Sequence, residues 1–453
     1  MSADQVVLVL YIFLAAAVVL LPLRWSLVAY LLLSTVDFGQ RGEHIGLLNA
    51  AKAIILPAYV LWRLRRYSGH KKIILAPIAW MLLTFYAAVS AFWSFYPTSA
   101  LKLAGHMIAS LVICCMFMRA SKGPELQPAI VLPVTIGVIV IAGLRSIFAP
   151  HYGEEAVRFT TFSSAQSFAA LLVALYCIAL CSKALRPGVR ISLCTVVAAA
   201  LVFDGSRIWA LGLITSTLLA LVVSDVGSWI KICALGLMVV VAATLIGSTD
   251  MIIGFLSGHA QSNRIAAAIT AAYEGDMGST GLGTFRFRRG LTSIVVDQLE
   301  KSSVGELIVG HGTSNGGTIT GSPTKGLDPN RFFHNEWLRV TYEWGFIGLV
   351  LFVIFIASTT MFAFRGFQKD SSGYAKPLLV YIPAFLLGLT GENIIAGAGN
   401  AVSVGFLLLI ALAGIAHRQP RRNVFAQERM PVRDSEARRE RGLHQENWAT
   451  PIV

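Results

Sequence analysis

Long apolar stretches separated by polar segments run along the chain from residue 5 to residue 416. A helix needs about 20 apolar residues to cross the hydrocarbon core of a bilayer, and the alternating pattern of a membrane strand is absent. We therefore predict about 12 or 13 transmembrane helices, because the second stretch is too short to cross in the usual way. The stretches are 5–23, 26–38, 44–62, 73–93, 100–118, 128–148, 164–182, 189–204, 207–224, 229–249, 335–363, 376–391 and 399–416.

One polar segment, 250–334, is much longer than the others and interrupts the series of apolar stretches. Loops of this length without a function are uncommon in compact domains. The predicted fold is an all-α, polytopic membrane helix bundle over residues 1–416, with 250–334 as its one long external loop. The polar, arginine-rich tail 417–453 is expected to be cytoplasmic and disordered.

Two parts of the long loop have patterns of their own. The stretch 310–326 is rich in Gly, Ser and Thr and is predicted to be loop; it lacks the G-x-x-x-x-G-K-[ST] phosphate-binding motif, so no nucleotide site is expected. The stretch 288–301 is predicted to be an amphipathic helix lying on the membrane surface or on the bundle. Its apolar residues at helical spacing are Leu291, Ile294, Val295 and Leu299.

The net charge of +13 follows the predicted topology and does not indicate nucleic-acid binding. Only 13% of the residues are charged, against about 25% in soluble domains. Basic residues concentrate in the short loops near 63–72, 119–122, 183–190 and 365–376, which fall on one side if the helices alternate. The positive-inside rule makes that side the cytoplasm, with anionic lipid as the partner of the excess charge.

Cysteine and histidine usage predicts no cofactor and no metal. All six cysteines lie within apolar stretches and none forms a C-x-x-C pair, which is typical of packing residues. His259 and His311 fall in the same loop as His334, but their spacing matches no known ligand pattern.

Three candidate chemical features lie on the predicted external side. Arg207 opens an apolar stretch: it is either a snorkelling anchor or, because positive anchors are disfavoured outside, a ligand for an anion such as diphosphate. Arg286 and Arg288 are either a solvated basic patch or a second clamp on such an anion. His334 directly precedes a long apolar stretch; it is either structural or a general base with an ordinary pKa near 6.5.

Several of these residues resemble motifs of the O-antigen ligase and O-antigen polymerase superfamily of bacterial polysaccharide enzymes. Arg207-Ile-Trp-Ala-Leu211 resembles the ligase pattern of Arg, three residues and Leu at the outer end of a helix. His334 followed after ten residues by Gly345 resembles the family's His-to-Gly pattern. The stretch from Arg288 to Asn315 is similar to a family segment that runs from an arginine through an amphipathic helix to G-x-G. The residues from Arg158 to Ala169 resemble the family's loop before a span. Here Ala165-Gln166 stands where the family usually has P-N.

The resemblance covers roughly residues 150–365 and implies a GT-C-type inverting glycosyltransferase of the bacterial inner membrane, with its active site on the periplasmic side. The donor would be a glycan on undecaprenyl diphosphate. The acceptor would be lipid A–core in a ligase or another lipid-linked glycan in a polymerase, and neither metal nor nucleotide would be needed. The implied roles are His334 as catalytic base, Arg207, Arg288, Arg286 and Arg158 as diphosphate ligands, and Glu392 and Asn393 on the acceptor side.

A transporter or flippase of a lipid-linked oligosaccharide is the alternative interpretation. Transporters carry ionisable groups near the bilayer midplane and often show repeats with broken helices. Here Arg207 and His334 lie at predicted membrane boundaries, and no internal repeat is visible. The sequence therefore favours the transferase.

Overall fold

The structure, a computed structural model, describes residues 3–36, 52, 55–64, 75–120, 126–148, 159–162, 165–204, 206–223, 280–320, 335–369, 374–391 and 400–416. Throughout these ranges the regular structure is helical. The helices before the long loop are α1 Ala3–Leu20, α2 Leu23–Ser34, α3 Leu56–Leu64, α4 Leu75–Val89 with a 3-10 turn Ser90–Trp93, α5 Pro97–Ala120, α6 Leu126–Phe148, α7 Ala165–Cys181, α8 Pro187–Asp204 and α9 Arg207–Val223. Within and after the loop are α10 Thr280–Lys301, α11 Val304–Val309, α12 Gly316–Thr320, α13 Glu336–Lys369, α14 Lys376–Gly391 and α15 Asn400–Ala416.

Four of the described helices are long and apolar enough to cross a membrane. They comprise residues Ala76–Trp93, Ile130–Phe148, Pro187–Asp204 and Glu336–Gln368. Every predicted stretch with described residues contains a helix, so the prediction of an all-α chain is confirmed there. The predicted stretch 229–249 lies outside the described residues.

The chain divides into two compact units, Met1–Ala416 and His417–Val453. The second unit lies outside the described residues, so the expectation that it is disordered stays a prediction. The first unit holds all the helices described above.

Helix α7 is at the centre of the bundle, because every side chain from Ser167 to Cys181 is buried. A helix that is apolar on all sides is stable only when other helices surround it. Helices α8, α9, α14 and α15 pack around it. Small residues allow close contacts in this layer: a Cβ on Gly212 of α9 would lie 2.9 Å from the Cβ of Ala384 of α14.

Helix α10 confirms a helix in the long loop and corrects its predicted face. Leu291 and Val295 are buried, and Leu299 packs with Val295 against Tyr342 of α13. Ile294 was expected on the same face but is 42% exposed, since the contact follows the i, i+4, i+8 positions only. The helix therefore rests on the bundle along a narrow apolar stripe.

The Gly/Ser/Thr-rich stretch departs from its prediction at α12, because Gly316–Thr320 is helical where loop was expected. The amide of Gly316 donates to a carboxylate oxygen of Glu343 at 3.2 Å, and the amide of Thr318 bonds the carbonyl of Asn315 at 3.0 Å. This short helix is stabilised by Glu343 of α13, a partner that the composition of the stretch 310–326 does not indicate.

Helix α13 is interrupted at Gly345, where φ is 60° and ψ is −161°. The interruption leaves the carbonyls of Tyr342 and Glu343 free to accept from another segment. The amides of His311 and Gly312 donate to them at 3.0 and 2.8 Å. Gly310 also has a positive φ, 78°. The two backbones lie so close together that a Cβ added to Gly345 would be 2.6 Å from the carbonyl oxygen of Ile308. Two glycines thus allow two backbones to cross in contact.

We predict that Gly345→Ala lowers stability by about 1–3 kcal/mol from backbone strain alone, with the steric overlap adding to that loss. Thermal unfolding of the detergent-purified protein measures the effect. The matched control is Gly143→Ala in α6, where an added Cβ meets nothing within 4 Å. Equal melting temperatures for the two variants would contradict the described crossing.

Candidate functional site at the start of helix α13

Asn335 begins helix α13 by capping its first turn. Its side-chain oxygen accepts from the amide of Leu338 at 3.2 Å, and its carbonyl accepts from the amide of Arg339 at 3.0 Å. Such a cap satisfies amides that a helix start leaves unpaired. Glu336 in the first turn also suits the positive end of the helix dipole.

A buried ionic network occupies one face of the first two turns of α13. The Arg339 Nε donates to Glu336 at 2.8 Å, its Nη2 bonds the same Glu336 oxygen, and its Nη1 donates to Glu343 at 2.8 Å. All three residues are fully buried, and the guanidinium lies 4.8 Å from the ring centroid of Trp344. The spacing i, i+3 and i+7 puts the groups on one face. An arginine between two carboxylates compensates charges that would be too costly to bury singly.

The network is tied to the segment that crosses α13. Glu343 accepts from the amide of Gly316. The indole Nε1 of Trp344 donates to the Thr313 hydroxyl at 2.7 Å. The Thr313 hydroxyl also bonds Ser90 and donates to the carbonyl of Ala87 at 3.0 Å. The Thr313 side chain therefore bonds both α13 and the end of α4, two helices that also pack directly on each other.

Asn315 makes the second connection between this segment and the end of α4. Its side-chain oxygen accepts from the amide of Phe95 at 2.8 Å and from the hydroxyl of Ser94 at 3.0 Å. The Ser94 hydroxyl is also 2.6 Å from the carbonyl of Thr313. Gly312 has a φ of 98° and lies against Ser94. A Cβ added to Gly312 would be 2.7 Å from the Cα of Ser94. The residues 310–316, which we call the crossing segment, thus contact both helices through their backbone.

His311 links the crossing segment to helix α11. Its ring stacks on Tyr342 at 4.3 Å, its Nε2 lies 2.9 Å from the Ser302 hydroxyl, and its Nδ1 lies 3.7 Å from Glu306. Burial lowers the pKa of His311, and the Glu306 carboxylate opposes that shift. The Ser303 amide and hydroxyl donate to Glu306 and lower the pKa of its carboxyl.

The predicted site residues fall into three groups. Arg207 is the first residue of α9 and is half-buried; α9 packs mainly on α14 and α7. Arg286 and Arg288 lie on α10, which packs on α12 and α13, although their side chains are not described. The described contacts therefore bring α10, but not α9, to the start of α13. The other predicted residues, Arg158, His334, Glu392 and Asn393, lie outside the described residues.

A buried cluster of charged residues at this end of α13 was not among the predicted site residues; its members are Glu336, Arg339 and Glu343. A signal existed, because a Glu–Arg–Glu set at positions i, i+3 and i+7 within an apolar stretch is costly unless paired. Among the residues that the structure describes, no three His, Cys, Asp or Glu side chains lie close enough to hold a metal ion.

Comparison with known proteins adds no identification. No protein-family model matches the chain, and no curated protein matches it.

We predict that Arg339→Met destabilises the protein by about 3–5 kcal/mol, because it leaves two carboxylates buried without their cation. The control is the triple variant Glu336→Gln, Arg339→Met, Glu343→Gln, which removes the charges together and should recover a large part of the loss. Thermal unfolding in detergent measures both. A single variant as stable as the wild type would show that the network is not buried.

We predict that acid weakens the contact around His311. Its folded-state pKa is below the ordinary 6.5, so its contribution to stability is present above that pH and is lost as the pH falls toward the folded-state value. The Glu306 carboxyl, whose pKa is also lowered, adds a loss of the same sign at lower pH. Melting temperatures between pH 7.5 and 5 should fall less steeply in His311→Phe, which stacks on Tyr342 and cannot be protonated. Parallel profiles would contradict the assignment.

Proposed function

We propose that the chain is an integral membrane glycosyltransferase of the O-antigen ligase and polymerase type, transferring a glycan from undecaprenyl diphosphate during surface polysaccharide synthesis. The support is the order and spacing of the motifs around Arg207, Arg288 and His334. The four helices of membrane-crossing length are consistent with this class.

The proposal includes a GT-C-like bundle of about 12 or 13 transmembrane helices in the bacterial inner membrane, with its active site on the periplasmic side. Basic residues near 63–72, 119–122, 183–190 and 365–376 favour the cytoplasm for their loops. Under strict alternation the beginnings of α9 and α13 then face the periplasm, where a lipid-linked donor would be presented.

The motif order carries the proposal, and the bracing of the start of α13 is the structural observation consistent with it. Catalytic side chains must be held within about 0.5 Å of a productive geometry, and packed helices hold them better than free loops. The cap by Asn335, the buried ion network of Arg339 and the crossing segment together support this helix start. His334 immediately precedes Asn335 in the sequence, so the position proposed for the general base adjoins the most strongly supported backbone at this end.

The proposed reaction is one in-line displacement. His334 accepts the proton of the acceptor hydroxyl, whose oxygen bonds the anomeric carbon while the bond from that carbon to the diphosphate oxygen breaks. Arg207 and Arg288, with Arg286 and Arg158 as further ligands, stabilise the negative charge on the departing undecaprenyl diphosphate. A single displacement inverts the anomeric configuration. A positioned base contributes about 10²–10⁴-fold.

The acceptor side is assigned to Glu392 and Asn393, at the outer end of the predicted stretch 376–391. The acceptor is a second lipid-linked glycan in a polymerase and lipid A–core in a ligase. Among the described residues, the buried carboxylates of α13 give no support to transport of the same lipid-linked glycan, because they lie in its first two turns and both bond Arg339. A transport site would be expected near the midplane.

We predict that His334→Ala and Arg207→Ala abolish the finished glycan in a strain lacking the native gene and cause undecaprenyl-linked glycan to accumulate. A loss of about 10²-fold or more is expected for the histidine, because His334 is the proposed general base. The control is Arg186→Ala, an exposed arginine between α7 and α8 on the opposite predicted side. Single accumulated repeats indicate a polymerase and long accumulated chains a ligase.

All variants are compared at matched membrane levels. Normal product from both His334→Ala and Arg207→Ala would contradict the catalytic assignment. Loss of product with the undecaprenyl-linked intermediate confined to the cytoplasmic leaflet would instead indicate a transport defect.

A further inference from the structure

The side chains of helix α11 are exposed and are not packed into the described bundle. None of its six residues is buried, and Val304 and Ile308 are 71% and 45% exposed. Its position is nevertheless determined at both ends. Ser303 and Glu306 form a capping box at its start, and the Val309 carbonyl accepts from the Tyr86 hydroxyl at 3.0 Å. Its apolar side chains are therefore available to something outside the described bundle.

The helix is amphipathic. Val304, Leu307 and Ile308 lie at i, i+3 and i+4, so they share one face. Glu306 lies on the opposite face, where donors from Ser303 hold the pKa of its carboxyl below its usual range. One side of α11 is thus aliphatic and the other carries an ionised group.

The neighbours of α11 belong to helices of membrane-crossing length. Tyr86 lies in the helix Ala76–Trp93, and the crossing at Gly345 lies in Glu336–Gln368. The C-terminal end of α11 therefore contacts both helices within their length. Its aliphatic face adjoins two helices that the proposed function places in the bilayer.

Exposed apolar residues continue from α11 along both neighbouring helices. On α13 they include Phe346, Val350, Ile354 and Met361, at spacings of four and seven that keep them on one side of the helix. Phe92 is 91% exposed where the neighbouring span ends. A stripe that runs along a helix of membrane-crossing length has the extent expected of a surface that faces lipid chains.

We propose that the aliphatic face of α11 is inserted among the acyl chains of the outer leaflet and anchors the crossing segment to the bilayer. This inference rests on the membrane placement in the proposed function and deepens it. The anchor attaches the crossing segment at the leaflet in which a lipid-linked donor would diffuse. Trp93, which contacts Tyr86 edge to face, supplies an aromatic residue of the kind found at membrane interfaces.

The test places an environment-sensitive fluorescent amino acid at position 308 of the full-length chain, leaving the native cysteines intact. The matched control carries it at Glu300, an exposed residue of α10. Both proteins are reconstituted in phosphatidylcholine liposomes with dibrominated or ordinary acyl chains, and iodide serves as the aqueous quencher. We expect bromolipid quenching at 308 to exceed that at 300 by at least about twofold, and iodide quenching to rank in the reverse order.

Three results would overturn the inference. Weak bromolipid quenching at 308, with iodide reaching it as readily as 300, would put α11 in water. Protection of 308 from both quenchers would mean that a second copy or another protein segment covers it. Bromolipid quenching that appears only after undecaprenyl diphosphate is added would mean a closed lipid-binding pocket. A chain that transfers no glycan yet gives the expected quenching would remove the proposed function and leave the anchor standing.

Discussion

The start of α13 depends on the ion pairs that the buried guanidinium of Arg339 makes. Burying two carboxylates in an apolar bundle is unfavourable unless a cation lies between them, and Arg339 bonds both Glu336 and Glu343. Glu343 then extends the network to the amide of Gly316, outside the helix. A local charge requirement therefore positions a segment of the long loop, and the glycine at 345 allows that segment to reach the backbone of α13.

The length of the apolar stretches was sufficient to predict a helix in every such stretch that the structure describes, because a helix in an apolar bundle needs little else to specify it. It was insufficient for the crossing segment. The bond between Ser90 and Thr313 joins residues 223 positions apart, and no local pattern encodes such a contact. Ile294 was wrongly placed for a related reason: several helical faces are compatible with the same apolar residues, and only the position of Tyr342 selects among them. Of the helices that carry predicted site residues, the described contacts bring only α10 to the start of α13, and the site itself stays a prediction.

The motif resemblance and the described contacts both concern the start of α13. The resemblance draws attention to His334 and Gly345 by their spacing. The structure explains why a glycine stands at 345, since its φ of 60° and its contact with Gly310 leave no space for a side chain. Gly345 is therefore required by the backbone crossing, independently of any chemistry at the start of the helix. The proposed reaction would take place beside a backbone that the ion network and the crossing segment hold in position.

The most direct test of the central proposal is an assay with the purified protein in nanodiscs, in buffer containing EDTA. Undecaprenyl-diphosphate-linked glycan is supplied together with lipid A–core or a second lipid-linked glycan, and released undecaprenyl diphosphate and the anomeric configuration of the new linkage are measured. The account predicts stoichiometric release of undecaprenyl diphosphate and inversion at the anomeric carbon. Glycan that stays on its original lipid with both acceptors, or a product with retained configuration, would contradict it.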